Sequence, residues 1–155
     1  SKKIVKELGG SIIHIDDFFL PMQLRTKERL AEIGGNVHYE RFLSEVYQRL
    51  KLDEDFSYRI FSCKVMDYLG ERFVKNDGLI IIEGAYCLKN MFREIYDMAF
   101  FMDVDKLTQK QRIINRGGDY SIFSAKWIPL EEKYIVNEKP NEFAKIIDTT
   151  KIHRI

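Results

Sequence analysis

His14-Ile15-Asp16-Asp17-Phe18-Phe19 sets two carboxylates directly behind a short apolar run, with two aromatic rings immediately after them. A carboxylate aimed at a hydroxyl accepts its proton during phosphoryl transfer, and rings nearby hold a flat molecule in place. Asp16 is the candidate general base. The same acids also suit capping of the following turn, and spacing alone leaves both readings open. Glu83 closes a second apolar run, Leu79 to Ile82, as an acid that organises magnesium on a phosphate does. Gly84 then lets the backbone pass close by. A solvated acid at a strand end is the plainer alternative. Arg112 and Arg116 stand four residues apart, so one helix face would present both guanidinium groups to phosphate oxygens. Gly117-Gly118 follows as a hinge for a closing segment.

Tyr58-Arg59-Ile60-Phe61 alternates in polarity and reads as an edge strand that presents Tyr58 to a ligand or packs it inward. His38, beside Tyr39, reads as a surface or substrate-edge residue. With only three histidines scattered through the chain, a metal triad has no support.

These residues need elements to position them. Lys2 to Leu8 has helical spacing at Ile4, Val5 and Leu8, and Gly9-Gly10 stops it. Ser11 to Ile15 predicts a buried strand that ends in carboxylates. Asn36 is expected to cap a helix whose apolar positions are Tyr39, Phe42, Leu43, Val46 and Leu50. Asp77-Gly78 turns the chain into the strand Leu79 to Ile82, a third strand runs Ala99 to Met102 up to Asp103, and Lys145 to Asp148 is a fourth. Pro129 opens a helix with Glu131 and Glu132 in its first turn. Continuous apolar strands alternating with helices predict α/β layering, a parallel sheet covered on both faces with ligands beyond its carboxyl ends.

The length of 155 residues fits one domain with its own core, with a lid near 106–128. The 25 Lys and Arg nearly balance 24 Asp and Glu, which argues against a polynucleotide partner. No apolar run spans a bilayer, and the two cysteines have no metal-type spacing. Reduced thiols fit a cytoplasmic protein, and no repeat or linker interrupts the chain.

The ordered set His14 to Phe19, Gly35-Asn36-Val37-His38-Tyr39-Glu40-Arg41-Phe42, Phe56 to Phe61, Ile82-Glu83-Gly84 and Trp127-Ile128-Pro129-Leu130-Glu131-Glu132 resembles bacterial uridine-kinase-like proteins. The resemblance runs from about Lys2 to Asp148. It implies a P-loop nucleoside triphosphate hydrolase-like fold and ATP-dependent phosphorylation of the primary hydroxyl of a nucleoside-like molecule, uridine or cytidine first, with ATP and Mg2+ as cofactors. It implies Asp16 as base, Glu83 at the magnesium-organising acid, and Arg116, with Arg112, in the lid. Phe19, His38, Tyr58 and Arg59 fall on the substrate side, Tyr58 at a base-stacking position, and the resemblance leaves room for a homo-oligomer. Two positions depart from the pattern. His38 replaces an aspartate that holds ribose hydroxyls, and Cys63 stands near a base-reading histidine. Pantothenate kinases and phosphoribulokinases share the framework, so pantothenate or a sugar phosphate is the alternative acceptor.

The family carries G-x-x-x-x-G-K-[ST] between its first strand and first helix. These 155 residues contain no such segment, and Ser1 stands where that motif ends. The expectation is a truncated version of a longer protein, or a gap filled by another segment or subunit. A non-catalytic remnant that keeps the acceptor pocket as a binding module is the competing reading.

Overall fold

The computed structural model describes residues 1–151. They form two compact units, 1–95 and 96–151.

The first unit opens with α1 (Lys2–Leu8), stopped at Gly9 as its spacing predicts. Then β1 (Ser11–His14) runs into a short 3-10 turn over Ile15–Phe18. A second such turn covers Met22–Leu24, and α2 (Lys27–Ala31) follows, its Thr26 cap accepting the Arg29 N–H at 3.1 Å. A continuous helical stretch is built from α3 (Tyr39–Phe42), a π-helical turn (Leu43–Tyr47) and α4 (Gln48–Leu50). The hairpin β2 (Phe56–Ser62) and β3 (Asp67–Val74), the strand β4 (Ile80–Glu83) and a 3-10 helix over Asn90–Ile95 complete the unit.

β1 and β4 pair in parallel, with Ser11 opposite Ile80 and His14 opposite Glu83. The approach into this pair requires glycine at position 10. Its φ is +112°, and a Cβ there would sit 2.1 Å from the Leu79 carbonyl oxygen. The hairpin is antiparallel, with Tyr58 opposite Arg72, and it carries a register shift between Ile60 and Phe61.

The core of the unit is aromatic. Phe18 packs edge-on against Phe42 at 5.2 Å and stacks on Tyr58 at 5.0 Å, while Phe42 meets Phe92 at 4.5 Å. Arg41 is buried with them, its guanidinium 4.2 Å from the Phe18 ring centroid. Its terminal nitrogens donate to the Asp17 and Arg59 carbonyls and to Glu45 at 3.1 Å, while Nε has no hydrogen-bond partner among the described residues.

In the second unit β5 (Phe100–Asp103) pairs in parallel with β6 (Lys145–Asp148). α5 (Lys106–Asn115) is capped by Asp105, which accepts from the Leu107 and Thr108 N–H groups, both at 2.9 Å. α6 (Tyr120–Ile122), a π-helical turn (Phe123–Trp127), α7 (Ile128–Glu138) and α8 (Pro140–Phe143) follow.

Parallel strands alternating with helices are observed, but not as one four-stranded sheet. Among the described residues the strands form two parallel pairs, one in each unit, and the antiparallel hairpin. β3 escapes the apolar-run criterion because it carries Glu71 and Arg72 and keeps one face exposed. β5 is not a buried strand: Phe100 and Met102 are 46% and 58% exposed. Ile15 leaves its strand to start the turn. Helix α3 starts after His38, not Asn36, because the Asn36 carbonyl accepts the Leu20 N–H at 2.9 Å and Val37 bridges to Phe19.

Phe42 is fully buried between two rings, so Phe42→Ala is expected to cost about 3–5 kcal/mol in denaturant unfolding. The exposed Phe73→Ala should stay within about 0.5 kcal/mol by the same measurement.

Candidate functional site

The parallel register places the ends of β1 and β4 side by side, so their final residues share a site. His14 Nδ1 lies 2.8 Å from Glu83 Oε1, and the Ser1 hydroxyl bonds Glu83 Oε2. Burial pushes the Glu83 carboxyl up, but the Ser1 hydroxyl and His14 outweigh it and hold Glu83 below the ordinary glutamate value. Glu83 is therefore an anion at neutral pH. Its backbone departs through Gly84, at φ +130°, where a Cβ would come within 3.0 Å of Ile15.

Asp16 sits in the 3-10 turn just beyond β1. It keeps an exposed face, yet the protein crowding its carboxyl removes hydration. That loss, then the charges of Asp17 and Glu83, push its pKa up against the lowering by His14. A carboxylate poised this way binds a proton more readily than an ordinary aspartate, as a general base must. Its side chain takes no hydrogen bond among the described residues, which leaves its oxygens available.

Asp17, next along, is tied down. Its Oδ2 accepts the Tyr58 hydroxyl at 2.9 Å and Arg72 Nε at 3.2 Å. The structure therefore corrects the expected role of Tyr58. Its ring is 1% exposed and stacked on Phe18, so it offers no face to a ligand. Arg59 is likewise engaged, with Nε donating to Glu45 Oε1 at 2.8 Å and the guanidinium over the Tyr68 ring. Phe19 is half-buried and shares a backbone bridge with Val37.

That bridge leads to a cavity of about 330 Å³, within the lower range for small-molecule sites. Leu20 and Leu24 give it apolar lining, and Arg29, Glu32, His38 and Glu40 the polar part. Arg29 is held by Glu40 at 2.6 and 2.9 Å. His38 Nδ1 is buried without a hydrogen-bond partner among the described residues. Burial, then Arg41 and Arg29, hold the imidazole below its usual pKa against the pull of Glu40, so it is uncharged at neutral pH.

Arg112 and Arg116 belong to the second unit. They do not share a helix face, because α5 ends at Asn115 and Arg116 already has φ −90° and ψ 10°. Arg112 donates to the Thr149 hydroxyl at 3.0 Å and to the Thr149 carbonyl, an anchoring role. Arg116 lies 5.2 Å from the Phe123 ring centroid, and Gly117 follows it at φ +80°.

No group of three His, Cys, Asp or Glu among the described residues is arranged to hold a metal alone. Magnesium needs less from protein, often one or two carboxylates with phosphate oxygens and water. Glu83 and the Ser1 hydroxyl fit that donor set.

The chain is similar to a "possible uridine kinase" from Bacillus stearothermophilus, with TM-score 0.67 and 20% identity over 95% of this chain and 77% of that one. The likeness is one of fold, an α/β arrangement of parallel strands and helices. A putative fructose transport system kinase from Silicibacter sp. TM1040 is also similar, with TM-score 0.56 and 20% identity over 92% and 74% of the two chains. No protein-family model matches the chain, and no curated protein matches it. Among the described residues no helix is long and apolar enough to cross a membrane.

Arg41, Arg72 and His14 are site residues that sequence reasoning missed. Arg41 and Arg72 lie in charged, helix-like or strand-like contexts that read as solvated, and tertiary packing of α3 and of the hairpin brings them to Asp17.

The raised pKa of Asp16 carries a stability consequence. Proton binding by the folded state adds stability below the ordinary carboxyl range, and this is lost as pH rises through the folded pKa. Asp16→Asn is therefore expected to raise the melting temperature at pH 7, with the gain over wild type shrinking as the pH is lowered through the carboxyl range.

Proposed function

We propose that this protein moves a phosphoryl group from ATP to a hydroxyl of a small, nucleoside-like molecule in the cytoplasm, with uridine or cytidine the first acceptors to test. The observation that carries the reading is the register of β1 on β4, which brings an available, proton-seeking Asp16 beside an ionised Glu83 at the carboxyl ends of paired parallel strands. The kinase fold supports it at the level of reaction class.

In this reading Asp16 accepts the proton of the acceptor hydroxyl as the hydroxyl oxygen bonds to the γ-phosphorus of ATP and the bond from that phosphorus to the β-phosphate oxygen breaks, releasing ADP. Glu83, oriented by His14, would hold Mg2+ together with the Ser1 hydroxyl. ATP and Mg2+, when bound, supply the phosphoryl group and neutralise charge on the phosphate oxygens. The cavity beside His38 receives the acceptor, and His38 takes a hydroxyl hydrogen bond where the family resemblance would place an aspartate. Arg116 is the lid arginine, and the role of Arg112 is to anchor the lid helix through Thr149.

The test is phosphoryl transfer from radiolabelled ATP with Mg2+, measured against uridine, cytidine, pantothenate and sugar phosphates. Asp16→Asn should lower kcat by about 10²- to 10⁴-fold while acceptor affinity persists; unchanged turnover would remove Asp16 from the mechanism. Acceptor binding by calorimetry with no heat from ATP and Mg2+ would favour a binding module instead.

A further inference from the structure

A general base must keep its oxygens free for the proton it takes, so Asp16 cannot be aimed by its own hydrogen bonds. Its direction is set by the backbone of a four-residue 3-10 turn, a form with weak internal hydrogen bonds. The turn is held from outside. Tyr58 on β2 donates its hydroxyl to Asp17 Oδ2 at 2.9 Å and accepts the His14 backbone N–H at 3.3 Å, thereby gripping the residues on both sides of Ile15 and Asp16. Arg72, opposite Tyr58 on β3, donates to the same oxygen at 3.2 Å. Arg41 donates to the Asp17 carbonyl. The Asp17 side chain is only 14% exposed, which shields these bonds from water. Burial, then the Asp17 charge, push the Tyr58 phenol up, so it remains a donor at any physiological pH.

We propose that Tyr58, Asp17 and Arg72 are positioning residues, a clamp built on the hairpin that fixes the direction of the Asp16 carboxylate without touching the acceptor. The proposal rests on the reading of Asp16 as base. It assigns the hairpin a task in the reaction, whereas a purely structural hairpin would affect stability alone.

Tyr58→Phe removes the hydroxyl and keeps the ring stacked on Phe18. It should lower kcat by about ten- to a hundredfold, the scale set by small misplacements of reacting groups, with KM within about twofold. Backbone hydrogen exchange gives a readout independent of activity. The His14 amide should exchange about two- to tenfold faster in Tyr58→Phe, while the amides of Phe42 and Val46 keep their wild-type rates. Asp17→Asn, which retains an oxygen for Tyr58 and Arg72, should keep more kcat than Asp17→Ala. Adding Tyr58→Phe to Asp17→Ala should cost little more than Asp17→Ala alone.

Unchanged kcat together with unchanged His14 exchange in Tyr58→Phe would overturn the clamp, as would additive losses in the double variant. A loss confined to KM would also overturn it, by making Tyr58 an acceptor contact. If the wild-type protein transfers no phosphoryl group, the base reading fails on its own, and the exchange rate of His14 still decides whether the hydroxyl holds the turn.

Discussion

The parallel ladder between β1 and β4 is the constraint on which the candidate site depends. Parallel strands end at the same level, so pairing His14 with Glu83 fixes where both chains leave the sheet and which side chains meet there. A slip of one residue would turn Glu83 to the other face and separate it from His14. The glycine at position 10 admits the chain to that register, and the glycine at 84 lets it leave without striking Ile15.

Around this ladder the first unit solves an electrostatic problem. Two aspartates and a glutamate crowd one strand end, and each receives different treatment. Glu83 is compensated by His14 and the Ser1 hydroxyl, and Asp17 by Tyr58 and Arg72. Asp16 takes no hydrogen bond among the described residues, and lost hydration, then the charges of Asp17 and Glu83, raise its proton affinity. Neighbouring acids thereby acquire separate duties through environment. The buried Arg41, laid over Phe18 and bonded to backbone carbonyls from two elements, joins the aromatic core to the same turn.

Much of this was legible in the chain's pattern. The apolar runs ending in Asp16 and Glu83 marked strands and their acidic ends, because a strand covered by helices must be apolar along its length. The helix at Lys2–Leu8 was legible from periodicity and the glycines that stop it. The hairpin partner β3 was not, since a strand with one wet face carries charges that resemble a loop. The cap at His38 was missed because Asn36, a good capping residue in isolation, was already committed to the Leu20 amide.

The sequence by itself determined the candidate site residue types, their order and the strands whose ends lie at Asp16 and Glu83, since these follow from local polarity and period. Only the tertiary structure decided what each neighbour does. Tyr58 became a buried donor to Asp17, Arg59 a partner of Glu45, and Arg112 an anchor for Thr149. These roles depend on contacts between residues roughly fourteen to fifty-five positions apart, which no local pattern encodes. The aim of the Asp16 carboxylate is of the same kind, because it is set by a hairpin that begins forty residues further along the chain.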